Sequence, residues 1–385
     1  MKPVMHDEQD SSRRRFLRDG GLIVGAAAAG LLNGRPSFGA AQETLAWPAD
    51  RELTRIAFGS CAKQDKEQPI WDPVLASKPD LFIFLGDNIY GDTRDMEVLR
   101  AKYAQLAAKP GFRKLRAKTP LLAIWDDHDF GEDDAGSDYP MKEESRRIFL
   151  EFWNEPAASP RWSRDGIYTS SVMGPPGRRV QIILPDLRYN RTPLTPLDLG
   201  PTTYKQWEAA KKAAGVPVPG PYARSPDPSA TMLGEKQWQW LEQQFDIPAE
   251  IRIVASSLQV LADFPGWEGW TNYVRDHERL IDLIRRKRAS GTFFISGDTH
   301  YAELSTQNVN VPYPLWDLTS SGLTEVWPVE VPNANRVGPI VREANFGLIE
   351  IDWQSRDPVI RLQARDIKGA SRIDHQLALS ELAMR

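Results

Sequence analysis

The run Phe82-Ile83-Phe84-Leu85 is apolar at every position and predicts a strand buried on both faces. Gly86 stops it and lets the backbone pass close to a neighbour. Asp87 then falls at the carboxyl end of the strand, where open α/β sheets hold their ligands, with Tyr90 three residues further on. The pattern repeats along the chain. Residues 54–61 predict a strand ending Gly59-Ser60-Cys61, and residues 120–125 one that runs into Asp126-Asp127-His128-Asp129. Residues 251–255 predict a strand ending Ser256-Ser257-Leu258-Gln259, and residues 292–296 one ending Gly297-Asp298-Thr299-His300.

Helical periodicity fills the spaces between these strands. It predicts helices over residues 70–77, over 96–109 with Leu99, Tyr103 and Leu106 on one face, and over 141–154 with Phe149, Phe152 and Trp153. Further helices open at Glu235 and cover 276–288, where His277 reads as a solvated surface residue. Residues 166–172 and 180–184 form a hairpin around Gly174-Pro175-Pro176-Gly177, and 180–184 runs into Asp186-Leu187-Arg188. Strands follow at 315–320, 346–352 and 359–364, with a short helix at 376–384. Residues 192–229 are rich in Pro and Gly and read as a long excursion over the strand ends. Strands alternating with helices, then hairpins, predict an α/β sandwich rather than a TIM barrel.

The N-terminus changes the picture. Ser12-Arg13-Arg14-Arg15-Phe16-Leu17-Arg18 has the twin-arginine pattern, followed by an apolar stretch near 20–32 and small residues near Gly39. The apolar part is too short for a stable membrane anchor. Residues 1–41 are therefore expected to be a twin-arginine signal peptide handled by the translocation machinery, which delivers a folded periplasmic or secreted protein. Residues 42–385 then form a single domain. The signal carries six basic and four acidic residues, so the net charge of −4 becomes −6 without it. An acidic surface argues against a nucleic-acid partner. Cys61 is the one cysteine of the chain and has no partner for an internal disulfide, which leaves a core residue or a metal ligand.

Chemistry gathers at the strand ends. No Gly-x-Ser-x-Gly elbow, Gly-rich phosphate loop or dinucleotide fingerprint is present. Cys61, Asp87, Tyr90, Asp127, His128, Asp186, Asp298 and His300 fall at one end of the predicted sheets. Thiolate, phenolate and imidazole suit a trivalent or borderline ion such as iron. Asp127 and Asp298 offer oxygen alone, which suits calcium, magnesium or manganese, and Asp87 can serve both ions. Two adjacent ions clamp a phosphate and activate water, leaving His128 to donate a proton. The competing class is a secreted calcium-dependent binding protein, which leaves the thiol and imidazole unexplained.

The blocks Phe58-Gly59-Ser60-Cys61, Gly86-Asp87-Asn88-Ile89-Tyr90, Asp126-Asp127-His128-Asp129 and Gly297-Asp298-Thr299-His300 together resemble the alkaline phosphatase D (PhoD-like) family of calcineurin-like metallophosphoesterases. Asp186-Leu187-Arg188 with Arg191, and Trp267-Glu268-Gly269-Trp270, resemble further blocks of that family. The resemblance implies a sandwich of two mixed sheets flanked by helices, with the active site at the carboxyl strand ends. It implies Fe(3+) held by Cys61, Asp87, Tyr90 and His300, and a second divalent ion, calcium or alternatively magnesium, manganese or zinc, near Asp127 and Asp298. Asp126 and Asp129 remain alternatives to Asp127. It implies hydrolysis of small phosphate mono- or diesters by a metal-bound hydroxide, with His128 and Arg188 as catalytic residues. A phospholipase D-like phosphodiesterase of the same fold is the alternative. Two departures stand out: residues 256–259 hold no histidine, and the block around Trp267 carries Glu268 and Trp270, which implies a different substrate rim.

Overall fold

The computed structural model describes residues 47–48, 50–216, 218–264, 266–328 and 331–384. The expected signal peptide lies outside them. The described residues belong to one compact unit.

In chain order the elements are β1 (Arg55–Gly59), α1 (Trp71–Ala76), β2 (Leu81–Leu85), α2 (Met96–Ala108), α3 (Pro110–Lys118), β3 (Leu121–Ile124), α4 (Asp127–Phe130) and α5 (Lys142–Phe152). The hairpin β4 (Thr169–Met173) and β5 (Val180–Leu184) follows, then β6 (Thr195–Pro196), α6 (Tyr204–Ala213), β7 (Tyr222–Ala223) and α7 (Glu235–Gln244). The last third holds β8 (Ile251–Ala255), α8 (Val274–Arg286), β9 (Thr292–Ser296), β10 (Ala302–Gln307), β11 (Leu315–Ser320) and β12 (Arg336–Val341). It closes with β13 (Asn345–Asp352), β14 (Val359–Asp366) and β15 (Ser371–Ala378).

Two mixed sheets result. One runs β15-β14-β13-β1-β2-β3 and the other β12-β10-β11-β9-β8-β5-β4. The strands that were read as apolar runs are parallel: β1 beside β2 beside β3, and β5 beside β8 beside β9. Every residue of β2, β5, β8 and β9 is buried, as befits parallel strands covered on both faces. The sheets meet where β11 packs on β13 and β14. The helices turn their apolar residues to the strands, as α8 does with Leu280, Ile281, Leu283 and Ile284.

Several elements differ from expectation for identifiable reasons. The helix expected over 96–109 stops at Ala108, because Pro110 occupies the first turn of a new helix, α3. The expected tail helix is mostly strand: β15 pairs antiparallel with β14, and a 3₁₀ turn remains at Leu379–Leu382. The alternating charged residues of β15 suit an edge strand. The Pro/Gly-rich excursion contains α6, opened by a capping box at Thr203 and Gln206. His277 is half-buried rather than solvated; burial pushes its imidazole down to about 4, and the ring hydrogen-bonds the Val260 backbone.

Candidate metal centre

Parallel strand ends deliver the chemistry. Gly86 has φ 96°, and a Cβ there would lie 2.4 Å from Asp126 Cβ, so only glycine lets the ends of β2 and β3 meet. The residues after the strands adopt the left-handed conformation: Cys61 (φ 63°), Asp87 (φ 49°), Asp298 (φ 71°) and His300 (φ 61°). Non-glycine residues rarely take it, and such strain concentrates at functional sites. It falls on four of the predicted ligands.

Two donor sets form there. Cys61, Asp87 and His300 each offer an atom within 4.8 Å of the others, and so do Asp126, Asp127 and Asp298. A third grouping, Asp87 with Asp127 and His128, joins the two, taking Asp87 from the first and Asp127 from the second. Cys61 Sγ is 3.3 Å from Asp87 Oδ2, and Tyr90 Oη is 3.0 Å from His300 Nε2. The structure therefore brings together Cys61, Asp87, Tyr90, Asp127, Asp298 and His300, and adds Asp126 to the second set.

The surrounding residues fix these groups. Asp129 accepts from the backbone N–H of Asp126 (2.7 Å) and of Asp87 (3.1 Å), and from the Asn88 amide (2.5 Å) and Tyr103 hydroxyl (3.3 Å). Its oxygens are occupied as a brace between β2 and β3. Asp186 likewise accepts from Trp125 Nε1 and the Ile167, Arg188 and Tyr189 backbone N–H groups, so it shapes its own turn. Ser257 donates to Asp126 Oδ1 at 2.8 Å. It occupies the segment that lacks a histidine, and the hydroxyl supports a ligand instead of being one.

Arg188 is wholly buried. Its Nε donates to Asp126 Oδ1 at 2.5 Å, and its two terminal nitrogens grip Glu268 at 2.9 and 2.6 Å. One of them also lies 3.5 Å from Asp127 Oδ1. Arg191 also pairs with Glu268, at the Oε1 that accepts from Arg188. Committed to carboxylates in this way, Arg188 has the geometry of a positioning residue rather than of a group that touches substrate. Glu268 and Trp270 are buried, so they form part of this support and not the substrate rim expected from the sequence.

His128 lies under the Tyr90 ring, with centroids 4.2 Å apart. Its Nδ1 is 2.6 Å from Asp92 Oδ1, and its Nε2 is 3.8 Å from Asp133 Oδ1. Burial lowers its pKa, but Asp127, Asp87 and Asp92 outweigh this and hold it well above the ordinary range.

The acids have the opposite problem. Burial, then Asp87 and Asp298, push the Cys61 thiol up. Burial raises Asp87 against the pull of His128, with Asp127 and Asp126 adding to it. Burial with Asp126, Glu268 and Asp127 raises Asp298. Asp126 is pushed up to about 6 by burial despite Arg188. Asp87 Oδ1 and Asp126 Oδ2 are buried with no hydrogen-bond partner among the described residues. Buried carboxylates at this density need compensating positive charge. Cations held between them supply it, and thiolate, imidazole and carboxylate are the donors such ions take. The residues fit a metal centre.

The comparisons agree with this geometry. A family model described as PhoD-like phosphatase matches residues 56–332. Alkaline phosphatase D of Bacillus subtilis (strain 168) is 23% identical over 288 residues, covering 66% of this chain and 47% of that protein. The chain thus spans about half the length of this curated relative. The fold resembles a solved structure of PhoD, with a TM-score of 0.64 at 16% identity over 88% of this chain and 72% of the other. It also resembles a dimetal phosphatase from Danio rerio, with a TM-score of 0.53 at 15% identity over 86% and 100% of the two chains. With the family model covering most of its length and the site built at its strand ends, the chain belongs to the PhoD-like phosphatase family.

Proposed function

We propose that this protein is an exported metal-dependent phosphoesterase that hydrolyses small phosphate mono- or diesters. The observation that carries the proposal is the pair of largely buried donor sets, Cys61/Asp87/His300 and Asp126/Asp127/Asp298, linked by the grouping of Asp87 with Asp127 and His128. The set of Cys61, Asp87 and His300, with Tyr90 beside His300, favours Fe(3+); the carboxylate set of Asp126, Asp127 and Asp298 favours a hard divalent ion such as calcium. Bound there, the two ions supply Lewis acidity to the phosphate and its attacking water. Asp87 of the first set and Asp127 of the second come together in the grouping with His128. Arg188, Glu268 and Ser257 hold Asp126 in place.

His128 supplies the proton. Asp92 orients it through Nδ1, which leaves Nε2 to face the ester. As a water oxygen forms the new P–O bond and the ester P–O bond breaks, the proton at Nε2 passes to the departing alcohol oxygen, and the proton that the water sheds is released to solvent, from which Nε2 is reprotonated. Twin-arginine export suits such an enzyme, since that route delivers a folded chain.

Hydrolysis of phosphate mono- and diesters by the metal-loaded protein tests this reading. His128→Asn should lower kcat by about 10²–10⁴ with metal content unchanged. Unaltered kcat in that variant would remove His128 from the reaction.

A further inference from the structure

Four aromatic side chains lead away from the metal centre. Trp327 stands at one side of it: its backbone N–H donates to the carbonyl of His300 at 2.9 Å. The preceding residues Thr324 and Glu325 donate to the carbonyl of Cys61, so this segment runs along the Cys61/His300 donor set. Trp267 is next in sequence to Glu268, which holds Arg188 and through it Asp126. The two indoles meet edge to face, with centroids 4.9 Å apart at 80°. Tyr204 packs on Trp267 at 6.1 Å and 81°, and Trp207 on Tyr204 at 5.7 Å.

The last two rings come from α6, whose residues are otherwise exposed or half-buried. Tyr204 Oη donates to the Pro219 carbonyl at 2.8 Å, and the segment that follows runs close against the Trp267 loop. A Cβ on Gly220 would lie 2.2 Å from the Gly266 carbonyl oxygen, and Tyr222 N–H donates to that same oxygen. All four rings are half-buried, so each keeps an open edge or face. Trp267 Nε1 has no hydrogen-bond partner among the described residues, an orphan donor that calls for an acceptor.

We infer that these rings, with Trp267 and Trp327 nearest the metal centre, form the subsite for the leaving group, and that the group it takes is a planar aromatic alcohol. The inference rests on the phosphoesterase reading above and names its substrate class. Rings set edge to face present π faces and positive edges, which attract another flat ring beyond simple apolar burial. The excursion at residues 192–229, expected as a cover over the strand ends, thereby acts as a specificity wall.

Calorimetric binding of phenylphosphonate and methylphosphonate to the full-length, metal-loaded protein tests this without turnover. Phenylphosphonate should bind about tenfold tighter than methylphosphonate. Trp267→Leu should erase that advantage, Trp267→Phe should restore most of it, and the kcat/KM ratio of phenyl to ethyl phosphate should move in step. Equal binding of both phosphonates by the unaltered protein, or an advantage that survives Trp267→Leu, would overturn the subsite and leave the phosphoesterase reading standing. If neither phosphonate binds, both fall together.

Discussion

At the scale of single residues, the centre is a problem of buried charge. Arg188 links Asp126, Asp127 and Glu268 with no exposed surface. Removing one partner of such a network strands the others, so Arg188→Met should cost about 3–5 kcal/mol in denaturant unfolding. His277 makes a second case, away from the metals. Its folded pKa of about 4 lies below the ordinary 6.5, so between those values the unfolded chain binds a proton that the folded chain refuses. Stability should therefore fall as pH drops from about 6.5 toward 4, by roughly 1–3 kcal/mol. His277→Gln should flatten that acid limb when unfolding is followed against pH. The candidate ligands were legible in the sequence because strand ends advertise them. Their supports were not: nothing in Ser257 or Glu268 alone says that it holds an aspartate or an arginine 80 or more residues away in the chain. The left-handed turns at Cys61, Asp87, Asp298 and His300 are likewise tertiary facts.

At the scale of elements, the apolar parallel strands were readable because burial on both faces leaves an uninterrupted run, as in β2 and β9. Antiparallel β10 and β12 were not, since their sequences AELSTQ and RVGPIV carry polar, Gly and Pro residues within the strand. Tertiary pairing overrides local pattern there. The βα turns depend on one glycine above the rest. Gly86→Ala has to leave φ 96° or press its methyl into Asp126. It should destabilise the fold by at least about 2 kcal/mol and weaken metal retention, read together by thermal unfolding and elemental analysis. A variant that keeps full stability would show that β2 and β3 tolerate separation at their carboxyl ends.

At the scale of the whole molecule, two sheets carry their functional residues to a common edge: Cys61, Asp87 and Asp126 from one, Asp298 and His300 from the other. Neither sheet holds a complete donor set, so the centre exists only when the sandwich is assembled, and metal binding is coupled to that assembly. Among the described residues no helix is long and apolar enough to cross a membrane. The central claim is that the Cys61/Asp87/His300 set, with Tyr90, holds iron. Its most direct test is the visible absorption spectrum of the full-length protein as isolated, with elemental analysis of the same sample. Iron bound by the Tyr90 phenolate predicts a broad charge-transfer band that disappears in Tyr90→Phe. A colourless protein that contains only calcium or zinc would contradict the iron site.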